Sequence, residues 1–106
     1  MLSEQEFRVR SDEALQNARQ TLLTLADEKG FEVELQNGVL DLVFEEPRET
    51  KFVVSPNAPV RQIWVSAMAR SFKLAWDDGR QVFALNGETL VDLLDRLARE
   101  FVGRAS

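Results

Sequence analysis

Apolar residues recur along this chain in two rhythms. In residues 4–28, Phe7, Leu15, Ala18, Leu22 and Leu25 return at helical spacing, and Ala14 and Ala26 widen the stripe. Lys29 suits the negative end of a helix, and Gly30 is a helix-ending residue, so the spacing predicts a first helix over 4–28. From residue 31 the period falls to two. Six strands are predicted: 31–36, 39–44, 51–55, 61–67, 71–76 and 81–85. Asn37-Gly38 between the first two is a strong hairpin signal, because both residues tolerate the positive φ of a tight turn. Pro47 closes the second strand, Ser55–Pro59 reads as a turn-forming segment, and Asp77-Asp78-Gly79 reads as another turn. Helical rhythm resumes at 88–102 with Leu90, Leu93, Leu94, Leu97 and Phe101; Thr89 and Asp92 have capping-box spacing, and Asn86 is an alternative cap.

The predicted order is helix, six-stranded antiparallel meander, helix. Each amphipathic helix needs one apolar cover, and one sheet face can serve both. The expected architecture is an α+β two-layer sandwich, a single domain over 1–106, with the other sheet face towards water.

The strand 61–67 raises a question that folding alone does not answer. Ile63 and Val65 share one face, and Gln62, Trp64 and Ser66 share the other. A large aromatic then stands among polar neighbours on the outside of the sheet, where partners bind. The bland alternative is that Trp64 lies under a loop. Trp76 shares a face with Phe72 and Leu74 and is expected in the core.

Composition narrows the chemistry. The chain has no cysteine and no histidine, which excludes disulfides, thiolate metal sites, cysteine nucleophiles and the commonest general base. Any metal must be held by oxygen, which favours hard cations and weak, poorly selective binding. No Ser-His-Asp set, phosphate-binding glycine loop or opposed carboxylate pair is predicted, so the chain is read as a non-enzyme. Residues 1–50 hold 12 acidic and 5 basic side chains; residues 51–106 hold 6 and 8. An acidic first half argues against nucleic acid and suits cations or a basic protein partner. No apolar run is long enough to span a bilayer and the N-terminus resembles neither a signal nor a transit peptide, so the cytoplasm is the expected compartment and a monomer the expected state.

Three strings at consistent spacing carry a family resemblance. Asn37-Gly38-Val39-Leu40, Gln62-Ile63-Trp64-Val65-Ser66 and Asn86-Gly87-Glu88-Thr89-Leu90-Val91-Asp92-Leu93-Leu94 resemble, in order, the glycine turn, the Trp signature and the last-helix opening of the frataxin family. Leu25-Ala26-Asp27 is similar to the end of its first helix, and the whole chain resembles the bacterial branch. The resemblance implies an iron-binding regulator of iron–sulfur cluster assembly that docks on cysteine desulfurase near the scaffold protein. It implies an acidic ridge and an exposed sheet face as the working surfaces. Carried onto this sequence, the ridge residues are Asp12, Glu13, Asp27, Glu28, Glu32 and Glu34, and the partner-binding residues are Arg61, Gln62, Trp64 and Lys73. The residues themselves support part of this: Glu32 and Glu34 alternate with Phe31, Val33 and Leu35, so they face solvent beside Asp27 and Glu28. Bacterial members that bind iron well crowd more acids near the end of the first helix, where this chain has Leu22–Ala26, and Arg8, Arg10 and Arg19 dilute the helix further. Val60 replaces a polar residue common before Lys-Gln in animal members. The expected site is a loose, water-rich one. The alternatives are iron storage or ferroxidase-like handling, which needs a denser oxygen site, and a binding module that keeps the fold without the iron.

Overall fold

The computed structural model describes residues 2–103. Helix α1 runs Glu4–Lys29 and α2 Leu90–Gly103; between them lie β1 Glu32–Gln36, β2 Val39–Phe44, β3 Thr50–Asn57, β4 Gln62–Ala67, β5 Arg70–Asp77, β6 Val82–Leu85 and β7 Glu88–Thr89. The strands form one antiparallel sheet in chain order, β1 to β7. The α+β sandwich is as predicted, but with seven strands where six were expected.

The seventh strand arises from a hairpin signal that the helix prediction had absorbed. Leu85 pairs with Glu88, so Asn86-Gly87 is a two-residue turn with φ of 51° and 83°. Asn37-Gly38 makes the same turn between Gln36 and Val39, with φ of 53° and 76°. Positive φ at both central residues is the type I′ requirement, which Asn-Gly meets without strain. Asn86 is therefore a turn residue. Thr89 caps α2, its Oγ1 accepting from the Asp92 backbone N–H at 3.3 Å, and the helix starts two residues later than predicted.

Helix α1 is fixed at both ends. Ser3 Oγ accepts from the Glu6 N–H at 3.1 Å while Glu6 Oε1 accepts from the Ser3 N–H at 3.0 Å, a reciprocal capping box. At the other end Gly30, with φ of 77°, donates to the Ala26 carbonyl. The segment read as a turn at Ser55–Pro59 is partly strand: β3 continues to Asn57, pairing Pro56 with Ile63, and only Ala58–Val60 forms a 3-10 turn.

Both helices cover one sheet face. That face is Leu40, Leu42, Phe44, Phe52, Val54, Ile63, Val65, Leu74 and Phe83, all buried. An aromatic cluster joins the layers: Phe44 lies 4.7 Å from Phe31, 4.7 Å from Phe52 and 4.9 Å from Phe101 of α2. At the far end of the sheet Phe7 of α1 meets Phe83 edge-on at 5.7 Å. Trp76 is half-buried against Phe83 at 5.1 Å, and its Nε1 donates to Asp78 Oδ1 at 2.8 Å; like Phe72, it edges the core, whereas Leu74 is fully inside.

Candidate functional site

The uncovered sheet face is built by the parity of each strand. Strand register places Gln62, Trp64 and Ser66 outward, with Ser55 of β3 and Lys73 of β5 directly beside Trp64. The Trp64 side chain is not under a loop. The residue is 37% exposed, and with Val9 and Val60 it completes the exposed large apolar residues among those described. Val60 lies in the 3-10 turn leading into β4, so two of these three lie close in sequence on the approach to one strand.

Two neighbours hold the indole in place. Trp64 Nε1 donates to Gln62 Oε1 at 2.9 Å, and the Lys73 ammonium stands 5.0 Å from the ring centroid. A ring fixed by an N–H bond on one side and a cation over its face loses little freedom on binding, which favours a role as an anchor. Ser55, Ser66, Ser71 and Ala75 on the same face are small, so the indole stands proud of a shallow platform.

Arg61 is half-buried in the turn directly before Gln62. It adopts φ of 55°, and both its backbone N–H and its Nη1 donate to the Ala58 carbonyl. Its guanidinium fastens the turn before β4, and its Nε is buried without a hydrogen-bond partner among the described residues.

The predicted acidic residues divide into two groups. Glu32 and Glu34 point outward from β1, and Asp27 and Glu28 are exposed at the end of α1 just before it. Asp12 and Glu13 lie about 22 Å away along the helix at 1.5 Å per residue. There Asp12 accepts from Gln16 at 2.8 Å and Glu13 pairs with Arg10 at 3.3 Å. The sequence reading missed Asp41. It lies directly opposite Glu34 in the β1–β2 ladder, and the alternation of Val39–Phe44 could have placed it outward. Directly opposed like charges are unfavourable and deepen the negative potential at this edge; Lys51 offsets them at 3.8 Å from Asp41.

This donor set does not fit a closed metal site. Among the described residues no three carboxylates converge on a point where they could hold an ion. An exposed row of acids along one strand and one helix end draws hydrated cations by potential alone. Two carboxylates are held below their ordinary range by hydrogen bonds, Glu6 by its capping bonds to Ser3 and Glu88 by those from Arg96. Both serve the fold.

Comparison with known proteins accords with this geometry. The frataxin-like domain family matches residues 1–104. An iron–sulfur cluster assembly protein CyaY from Ralstonia nicotianae is 32% identical over 97 residues, covering 90% of this chain and 84% of that protein. One of the same name from Cupriavidus necator is 30% identical over 106 residues, covering 98% and 94%. Among solved structures, a frataxin from Psychromonas ingrahamii superimposes with a TM-score of 0.67 at 17% identity, over 93% of this chain and 90% of the other. The family match over nearly the full length, together with relatives 30% and 32% identical along most of the chain, establishes that this chain belongs to the frataxin-like family.

Proposed function

We propose that this chain acts in iron–sulfur cluster assembly, as its CyaY relatives are named to do, and that it acts as a non-catalytic adaptor. Its partner in this reading is a cysteine desulfurase together with the iron–sulfur scaffold protein. Trp64, flanked by Gln62 and Lys73, is the anchor, and the acidic edge of Asp27, Glu28, Glu32 and Glu34 steers a basic surface of the partner into register. The observation that carries the reading is the held, exposed indole on the sheet face that the helices leave bare. Ferrous iron enters as a hydrated ion drawn to the acidic edge, exchanging readily and modulating the partner's rate.

The test is turnover by the desulfurase with its scaffold protein, with and without this chain, at varied ferrous iron. A rate change in either direction, lost on Trp64→Ala, supports the adaptor reading. Loss of iron dependence alone in a Glu32→Ala/Glu34→Ala double variant assigns the metal to the acidic edge. No binding and no rate change would sink it. That no carboxylates converge among the described residues favours one second reading, a partner-binding module with no iron role. Intact desulfurase binding with no iron-induced NMR shifts at residues 27–34 would select it.

A further inference from the structure

One end of the sheet carries a cationic groove that borders the Trp64 face at Ser66 and Ser71. The β3–β4 ladder stops at Val53–Ser66, so Thr50, Lys51 and Phe52 pair with β2 only. Between that stretch and the β4–β5 turn lies an open groove of about 530 Å³. Three cations line it (Arg48, Lys51 and Arg70) together with the hydroxyls of Thr50, Ser66 and Ser71, and its lining contains no carboxylate. In a chain with 18 acids and 13 bases, such a lining is unexpected.

The two arginines are already positioned. The Arg48 guanidinium lies 5.4 Å from the Phe101 ring, and that of Arg70 lies 5.4 Å from Phe72. Stacking on an aromatic face limits the freedom of a planar guanidinium and keeps its edge N–H groups directed outward for an oxyanion, although Nη2 of Arg70 already reaches both Glu100 oxygens. The competing acids hold weakly. Glu100 approaches Arg70 at 3.4 and 3.5 Å and Asp41 approaches Lys51 at 3.8 Å, long contacts between partly exposed groups and of little strength. Glu45, Glu46 and Glu49 in the preceding loop are exposed and lie outside the lining.

We infer that this groove is a binding site for a compact, multiply charged oxyanion, a phosphate ester or a polycarboxylate. Arg48 and Arg70 grip the anion from two sides, Lys51 supplies the third charge, and the three hydroxyls donate to the remaining oxygens. The size falls within the range of small-ligand sites, and the polar lining suits a hydrated anion better than an apolar molecule. The inference stands independently of the adaptor reading, because it uses neither Trp64 nor its flanking Gln62 and Lys73, and shares with that face only Ser66 and Ser71 at its edge.

The experiment is a titration of the full chain followed by backbone amide NMR at low, matched ionic strength, with pyrophosphate in one arm and citrate in the other. The expected result is saturable shifts confined to residues 48–52 and 66–71. Affinity falls at least tenfold in Arg48→Gln and in Arg70→Gln, and is unchanged in Arg19→Gln on α1. Saturation by pyrophosphate alone, or by citrate alone, supports the site and identifies the oxyanion class. Linear shifts spread over Arg8, Arg19 and Lys29 as well would mean an adventitious ion only, and would overturn it. Saturable binding of a poly-glutamate peptide in the groove, with neither small anion binding, would overturn it in favour of an acidic protein segment. Lys51→Gln provides a further variant if either arginine variant unfolds.

Discussion

Exchanging one exposed residue, Ala69, for glycine stabilises this domain. Three hairpins here turn on two residues: Asn37-Gly38, Met68-Ala69 and Asn86-Gly87. All six residues have positive φ, with Met68 at 51° and Ala69 at 62°, yet the β4–β5 turn alone lacks both asparagine and glycine. Left-handed backbone costs an L-residue about 1–2 kcal/mol, whereas glycine adopts it freely. Against that relief stands the greater freedom glycine restores to the unfolded chain, roughly 0.5–1 kcal/mol. Ala69 is exposed, so no packing is lost, and Ala69→Gly gains about 0.5–1 kcal/mol. At about 4–8 °C per kcal/mol for a domain of this size, Tm rises by roughly 2–8 °C. The reciprocal change isolates the same term: a Cβ added at Gly38 or Gly87 meets no atom within 4 Å, so any cost of Gly38→Ala or Gly87→Ala is backbone strain. Each is expected to lower stability by about 0.5–1 kcal/mol, the same difference with its sign reversed. Thermal melts and urea midpoints at constant m-value measure all three. A lower midpoint for Ala69→Gly, or a neutral Gly38→Ala, would refute the reasoning. Met68→Asn is a poorer probe, because Met68 is half-buried against the core.

Other expectations follow from the same packing and polar contacts. Ser3→Ala removes the side chain that caps α1 and should cost about 1 kcal/mol in a urea titration. Phe44→Ala removes the hub of the aromatic cluster and should cost about 3–5 kcal/mol, a large share of the roughly 5–15 kcal/mol that holds a domain of this size folded, read as a lower urea midpoint. Trp64→Ala leaves the buried core unchanged and should change the unfolding free energy from a urea titration by less than about 1 kcal/mol, so any loss of partner binding reports on the surface. Arg96 binds Glu88 through two hydrogen bonds and lowers the Glu88 pKa from its ordinary 4.5. A group with a depressed folded pKa contributes stability above its unfolded value and loses it as pH falls through the folded one. Glu88→Gln should therefore lower Tm at pH 7 and have no effect well below pH 4.5, and an equal effect at both pH values would contradict the pairing.

Much of this fold is legible because each strand's hydrophobic parity faces a single core. Leu40-Leu42-Phe44 and Ile63-Val65 alternate so regularly that face and register follow from the sequence. The outward placement of Trp64 was legible for the same reason. What failed was local competition between signals. Leu90 onward reads so strongly as helix that the Asn86-Gly87 turn, identical in type to Asn37-Gly38, was absorbed into the helix approach and β7 went unseen. Met68-Ala69 carries no turn signature, because the paired strands impose its conformation against its intrinsic preference. The oxyanion groove was invisible for another reason. Arg48, Lys51 and Arg70 come together only where one ladder ends, and nothing in the linear spacing marks that point.

The strictly sequential strand order also bears on how the chain acquires its shape. Every strand pairs with its neighbour in sequence, so the sheet can zip hairpin by hairpin with short loops to close. The covering layer is different, because its two helices lie at opposite ends of the described chain. Until α2 has formed, the sheet's inner face around Phe44 and Phe52 lacks Phe101 and stays partly wet. During synthesis, a nascent chain that has not yet reached α2 is therefore a half-roofed sheet with a greasy underside. Its sheet can be in register before its second layer closes, and the last turns of α2 complete the seal.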